Sequence, residues 1–170
     1  MIQLVLKSTK ALTVGKKTEN KAVGRTKGGL NTKIHAIVDG LRNPVAFLLS
    51  AGNDNDSTHA IKLMDLTDIA GSNLLGDKAY GTKEILTYIQ EHGATVVIPP
   101  KSNTKEPWTV DYCLYKERHL VECFFQKIKW FRRIATRYDK LDQSFLAFVY
   151  IAAIMIWLTL TNFLDFSNKA

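Results

Sequence analysis

The stretch Ser72–Pro100, "SNLLGDKAYGTKEILTYIQEHGATVVIPP", decides the fold class. It opens with the short apolar run Leu74-Leu75, the pattern of a buried strand. Residues 82–93 then carry the spacing of an amphipathic helix that closes at Gly93. "ATVVIPP" is a second buried strand, stopped by Pro99-Pro100 because proline breaks a strand ladder. Strand, helix and strand in succession predict an α/β domain built on a mixed sheet flanked by helices. Asp77 falls where the first strand ends and the helical segment approaches. Functional groups gather at such strand ends, and turn or capping aspartates are equally at home there.

Outward from this unit, "TKIHAIVDGLRNPVAFLLSAG" (residues 32–52) reads as a β-hairpin, with Asp39-Gly40 starting its turn. His35 is expected on the polar face of its strand, and Asp39 as a turn former. Asp56, Ser57 and Thr58 are candidate N-caps for a helix that follows. Residues 7–33 are basic, with Lys7, Lys10, Lys16, Lys17, Lys21, Arg25, Lys27 and Lys33 against Glu19 alone. "GRTKGG" (Gly24–Gly29) reads as a flexible loop or turn able to touch phosphate backbones, and it lacks the spacing of a nucleotide-binding glycine loop.

Composition narrows the class of protein. The 170 residues are 46% hydrophobic, enough for one cored domain, and carry a net charge of +7, which points to a polyanionic partner. Cys113 and Cys123 lack the spacing of a zinc site and suit a reducing compartment. The apolar run Phe145–Leu164 is long enough to span a membrane, and is read as a C-terminal helix buried against the domain.

A second segment carries the chemistry. "YKERHLVECFFQKIKWFRR" (Tyr115–Arg133) reads as one long basic helix with an acid, Glu122, near its middle. At 100° per residue, Tyr115, Arg118, Glu122 and Lys129 share a narrow stripe. Leu120, Val121, Phe124, Phe125, Ile128 and Phe131 form the apolar face. Glu122 has two readings. One is an exposed i,i+4 pair with Arg118, worth a few tenths of a kcal/mol. The other is a metal-binding acid that works with Asp77 while Arg118 and Lys129 hold phosphate.

The pattern Tyr115-x2-Arg118-x3-Glu122-x6-Lys129 resembles the signature of bacterial insertion-sequence transposases of the DDE (Asp-Asp-Glu) class, in the IS-four and IS-five superfamily. "GRTKGGLNTKIHAIVDG", "LLSAGNDNDSTHA", "GDKAYGT", "IPPKSNTKEPW" and "FRRIATRYDKLDQSFLAFVYIAAIMIWL" resemble further stretches of the same family, over about residues 16–158. The resemblance implies a ribonuclease-H-like fold in a single catalytic domain over residues 1–170. It also implies Mg²⁺ ions, replaceable by Mn²⁺, held by three acids. The implied chemistry is cleavage and strand transfer on double-stranded DNA, at element ends and at a target. Asp77 and Glu122 match the second and third acids, as catalytic residues and metal ligands. Tyr115, Arg118 and Lys129 match the accompanying DNA-contacting positions, joined by Arg25, Lys27 and Lys33 of the basic segment. A homodimer, a bacterial cytoplasmic location at the nucleoid and no membrane contact are further expectations of the resemblance.

The first acid departs from the family pattern. No Asp or Glu precedes Glu19. "LVLKST" (Leu4–Thr9) resembles the first strand with Lys7 in place of the acid if the following segment is several residues short; without that gap, Ile2 or Gln3 takes the position. The family's N-terminal DNA-binding region is likewise expected upstream, either in an overlapping reading frame or lost from a decayed element. Two functions follow as expectations. One is a transposase domain with impaired cleavage, and the other is a non-catalytic DNA-binding fragment that competes with a full-length enzyme.

Overall fold

The computed structural model describes the backbone of residues 2–14 and 22–167 and the side chains of residues 3–14 and 22–159. Lys16, Lys17, Glu19 and Lys21 of the basic segment lie outside the described residues.

The protein is built around a mixed sheet. Its strands are β1 (Ile2–Thr13), β2 (Gly24–Thr26), β3 (Gly29–Asp39), β4 (Pro44–Ala51), β5 (Ser72–Gly76), β6 (Thr95–Val97) and β7 (Thr136–Arg137). The main order is β2-β3-β1-β5-β6, with β4 also on β3 and β7 on the far end of β1. β1 is antiparallel to β3 and parallel to β5, and β5 is parallel to β6. The expected α/β class, with its mixed sheet, is therefore the observed one.

Helices cover both faces because the strands are apolar on both. Along β1, Leu4 and Leu6 point to one side with Ile37 and Leu74, where α1 (Ala60–Met64) and α2 (Lys83–Glu91) pack. Val5 and Ala11 point to the other, with Leu75, Ala36 and Val38. That side is covered by α4 (His119–Ile128) and α6 (Asp142–Ser167). This doubly covered arrangement explains why β3 is buried continuously from Ile34 to Val38.

The central unit forms as its sequence suggests. Thr82 caps α2 by accepting from the Ile85 amide, and Gly93 takes a φ of 70° just past the helix end. The hairpin β3–β4 is also present, but its turn works differently. Gly40 does not supply the positive φ; Arg42 does, at 71°. The Asp39 carboxylate holds this turn by accepting from the Leu41 and Asn43 amides.

Of the two readings of "GRTKGG", the turn is the observed one: Gly24–Thr26 pairs with Gly29–Asn31 in a tight hairpin whose tip is Lys27-Gly28. Three other expectations need correction. His35 is not on a solvated polar face but is 1% exposed beneath the residues that precede α1. Asp56, Ser57 and Thr58 do not cap the helix there: Asn55 precedes a 3₁₀ turn, Asp56–His59, without side-chain capping. The basic helix is not continuous. A short α3 (Tyr112–Tyr115) and a 3₁₀ turn (Lys116–Arg118) lead into α4, which stops at Ile128 before α5 (Arg132–Ala135). Trp130 and Phe131 turn back on Lys127 and Ile128 through backbone hydrogen bonds, so Lys129 caps α4 instead of lying inside it.

The C-terminal helix buries one stripe, Phe145, Val149, Ala152, Ala153 and Ile156, against the sheet and α4. Ile151, Ile154 and Met155 on its other side are exposed. The expectation of burial thus holds for one face only, since a helix laid on a single layer covers one face. Its Asp142–Thr159 window is long and apolar enough to cross a membrane by length and composition, with 28% of that window buried. Core helices of soluble proteins pass the same test.

Candidate functional site

The site forms where β5 ends beside the middle of β1. Their parallel register pairs Leu6 with Gly76; Asp77 leaves the sheet there, while Lys7 continues in β1, paired with Ala36 of β3. Gly76 is needed at this exit: a Cβ there would stand 3.2 Å from the Tyr80 ring. Lys7 shares the face of Val5, the face covered by α4. Glu122 lies in the first turn of α4, where the positive end of the helix dipole favours a carboxylate. The apolar residues Val121, Phe124 and Phe125 seat α4 on the sheet and thereby bring Glu122 down to Lys7 and Asp77.

Arg118 joins the two acids. Its Nη1 is 2.8 Å from Asp77 Oδ1 and 2.8 Å from Glu122 Oε1. Lys7 Nζ donates to Glu122 Oε1 and stands 3.7 Å from Asp77 Oδ2. Two carboxylates from separate elements are thus closed by two cations in one partly open cluster. The hydrogen bond from Lys7 holds the Glu122 pKa below its ordinary value; burial opposes this, and the Arg118 charge reinforces it. Burial disfavours the Arg118 cation, yet Asp77 and Glu122 outweigh it and raise its pKa.

This cluster revises what the sequence suggests for both acids. Asp77 precedes a 3₁₀ turn (Lys78–Tyr80) and makes no side-chain capping bond to it, so its carboxylate is directed to Arg118 instead. The i,i+4 pair of Arg118 and Glu122 is present, but it is one edge of a four-residue cluster. Lys7 is the residue that the sequence places only conditionally. The strand register is the signal needed, and it appears only once β1 and β5 are paired.

The other predicted residues divide. Tyr115 stands at the rim, with the Arg118 guanidinium 5.9 Å from its ring centre, and its pKa is raised chiefly by burial. Lys129 is exposed at the end of α4, about 10 Å along the axis from Glu122 at 1.5 Å per residue. Arg25 and Lys27 are exposed on the β2–β3 hairpin. Lys33 is turned inward: its ammonium is 2.7 Å from Asp56 Oδ1 and donates to the Asp54 carbonyl.

Lys33 belongs to a second polar cluster on the opposite face of the sheet. Ser8 Oγ donates to Asp56 Oδ2 at 2.8 Å, and Nε2 of His35 lies 2.7 Å from Ser50 Oγ. His59 lies over His35, ring centres 5.1 Å apart, and pairs with Asp54 at 3.0 Å. Burial lowers the His35 pKa to about 4, with the neighbouring His59 adding to the effect. Burial works against the Asp56 carboxylate, but hydrogen bonds from Lys33 and Ser8 overcome it and lower its pKa.

The donor set at Lys7, Asp77, Arg118 and Glu122 does not fit a divalent cation. Among the described residues no three or more His, Cys, Asp or Glu side chains converge as metal ligands. The cluster's charges already cancel, and a further dication would meet the Lys7 ammonium at close range. Each pair of like unit charges at 4 Å costs about 4 kcal/mol at an effective dielectric constant of 20.

Comparison with known proteins gives the family of the chain. Two models described as "Transposase DDE domain" match residues 7–107 and 74–159. A Brucella ovis protein described as "Putative transposase for insertion sequence element IS6501" is 36% identical over 130 residues, covering 76% of this chain and 99% of that protein. Among solved structures, the piggyBac transposase synaptic complex with hairpin DNA aligns with a TM-score of 0.48 and 15% identity, over 61% of this chain and 24% of that one. By the length of the family match and the identity to the Brucella protein, this chain belongs to the transposase DDE domain family.

Proposed function

We propose that this protein acts on double-stranded DNA in the transposition of an insertion sequence, within the IS-four and IS-five group. Asp77 and Glu122 are its second and third site acids. The observation that carries this reading is their meeting, through Arg118, where β5 ends beside β1. Arg25 and Lys27 on the hairpin, and Lys129 at the end of α4, are the proposed contacts to phosphate backbone. Lys33 is given no such role because Asp56 holds its ammonium.

The family resemblance calls for Mg²⁺, and the acids expected to hold it are Asp77 and Glu122. With Lys7 between those acids, metal-dependent cleavage and strand transfer by this chain are expected to be weak or nil. A second reading, a DNA-binding fragment that competes with a full-length transposase for DNA or for subunits, is favoured by the same Lys7 contact. Pairing of two copies, or with an upstream reading-frame product, belongs to both readings.

The test is an element-end duplex assayed for binding and for nicking in Mg²⁺ or Mn²⁺. Salt-sensitive binding without nicking supports the competitor. Nicking that disappears in both Asp77→Ala and Glu122→Ala supports the enzyme. Nicking that survives both substitutions removes these acids from the chemistry, and the absence of any DNA binding at low salt overturns the reading as a whole.

A further inference from the structure

The charge balance of the site carries an inference that is independent of the DNA reading. Two anions, Asp77 and Glu122, face two cations, Lys7 and Arg118, and the sum is zero. The Lys7 stem runs on the α4-covered face of β1, and its side chain is only 24% exposed. Its ammonium therefore lies between the two carboxylates, donating to Glu122 and 3.7 Å from Asp77. Lys7 contacts both acids from an adjacent strand, which is how a shared metal ion would lie.

We infer that Lys7 is the resident cation of this carboxylate site, which takes no divalent ion as it stands and takes one when Lys7 is replaced by aspartate. The register supports the second half. Lys7 and Asp77 follow the paired residues Leu6 and Gly76, on parallel strands whose spacing is about 4.8 Å. The carboxylate introduced by Lys7→Asp would therefore start beside that of Asp77, with Glu122 above both. Three carboxylates against Arg118 leave a net charge of −2 and supply the oxygen ligands that Mg²⁺ and Mn²⁺ prefer. Lys7→Met is the intermediate case, because it removes the ammonium, adds no ligand and leaves a net charge of −1.

The experiment is Mn²⁺ binding to the DNA-free, full-length chain, followed by electron paramagnetic resonance of the free ion, with Mg²⁺ competition. The expected order of affinity is Lys7→Asp above Lys7→Met above the parent. Each step should be about tenfold or more, and Lys7→Asp should bind one ion. Adding Asp77→Asn to Lys7→Asp should return the affinity to near that of Lys7→Met, because both then carry two carboxylates and a net charge of −1. The inference is overturned if the parent binds one Mn²⁺ within about threefold of Lys7→Asp. It is equally overturned if Lys7→Asp, folded by circular dichroism, binds no more tightly than the parent. Should Lys7→Asp fail to fold, Lys7→Met decides: a gain over the parent upholds the inference, and equal affinity overturns it. DNA is absent throughout, so a failure here leaves the proposed DNA function standing, and the reverse also holds.

Discussion

Lys7 and Ser8 are neighbours in β1, yet they enter opposite faces of the sheet and two different kinds of polar cluster. On the Lys7 face, Asp77 and Glu122 are more than a third exposed, at 37% and 39%. On the Ser8 face, Lys33 is 12% exposed and His35 and Ser50 are buried. Both clusters combine acids and bases at hydrogen-bonding distance. The difference is access to water and to a large partner. The first cluster lies beside the end of β5, with both of its carboxylates partly open to water. The second lies under the residues leading into α1, where each group is held by the next. Distances alone would make the two alike, whereas exposure leaves one within reach of a partner and the other closed.

That contrast can be broken by experiment, and the largest effect is expected from pH. His35 stays neutral in the folded protein down to about pH 4, while an unfolded histidine titrates near 6.5. Its contribution is therefore complete above pH 6.5, is lost as pH falls toward 4, and amounts to about 3 kcal/mol. Urea unfolding at a series of pH values should show this decline, and His35→Gln should flatten it. An equal slope in that variant would place the titrating group elsewhere.

Asp56→Ala should come next. It strands the Lys33 ammonium and the Ser8 hydroxyl on the inner face, and a loss of about 2 kcal/mol in equilibrium unfolding is expected. On the open face, Glu122→Gln should change stability by less than about 1 kcal/mol, because the cluster is solvent-screened. Its binding to duplex DNA should be unchanged or tighter, since a negative charge near phosphate is removed. Weaker binding measured without metal would make Glu122 a structural partner of Arg118. The smallest expected effects are those of Arg25→Ala and Lys27→Ala. Each should weaken DNA binding only a few-fold and reduce the salt slope by about 1 for each phosphate that is no longer neutralised.

Much of this arrangement is legible in the residues. Asp77 at a strand end and Glu122 on the rim of an apolar helix face are both readable from periodicity. The α2 segment carries its own cap and its own glycine stop. The segment around Trp130 is not readable in that way. Helical spacing continues through Arg133, but the chain breaks at Ile128 because Phe131 and Ile134 pack back against α6 and the sheet. His35 looks like a surface residue because the strand alternates in sequence. It is buried because residues 54–59, distant along the sheet, fold over it. Arg137 gives no local sign of its role either. It is fully buried, pairs with Asp142 at 2.7 Å and donates to Thr32 Oγ1, which ties β7, β3 and the start of α6 together.

The sequence by itself determined the class of fold, the two acids and the basic character of the surface. Those properties depend on residue type and short-range period, which neighbouring residues alone express. Only the tertiary structure decided what Lys7 does. Its role depends on the pairing of Leu6 with Gly76 and on the height at which α4 sits above β1. Both are relations between residues far apart in the chain, set by the packing of the core. They turn a lysine that the sequence sets at the first acid's position only conditionally into the counter-ion of two carboxylates.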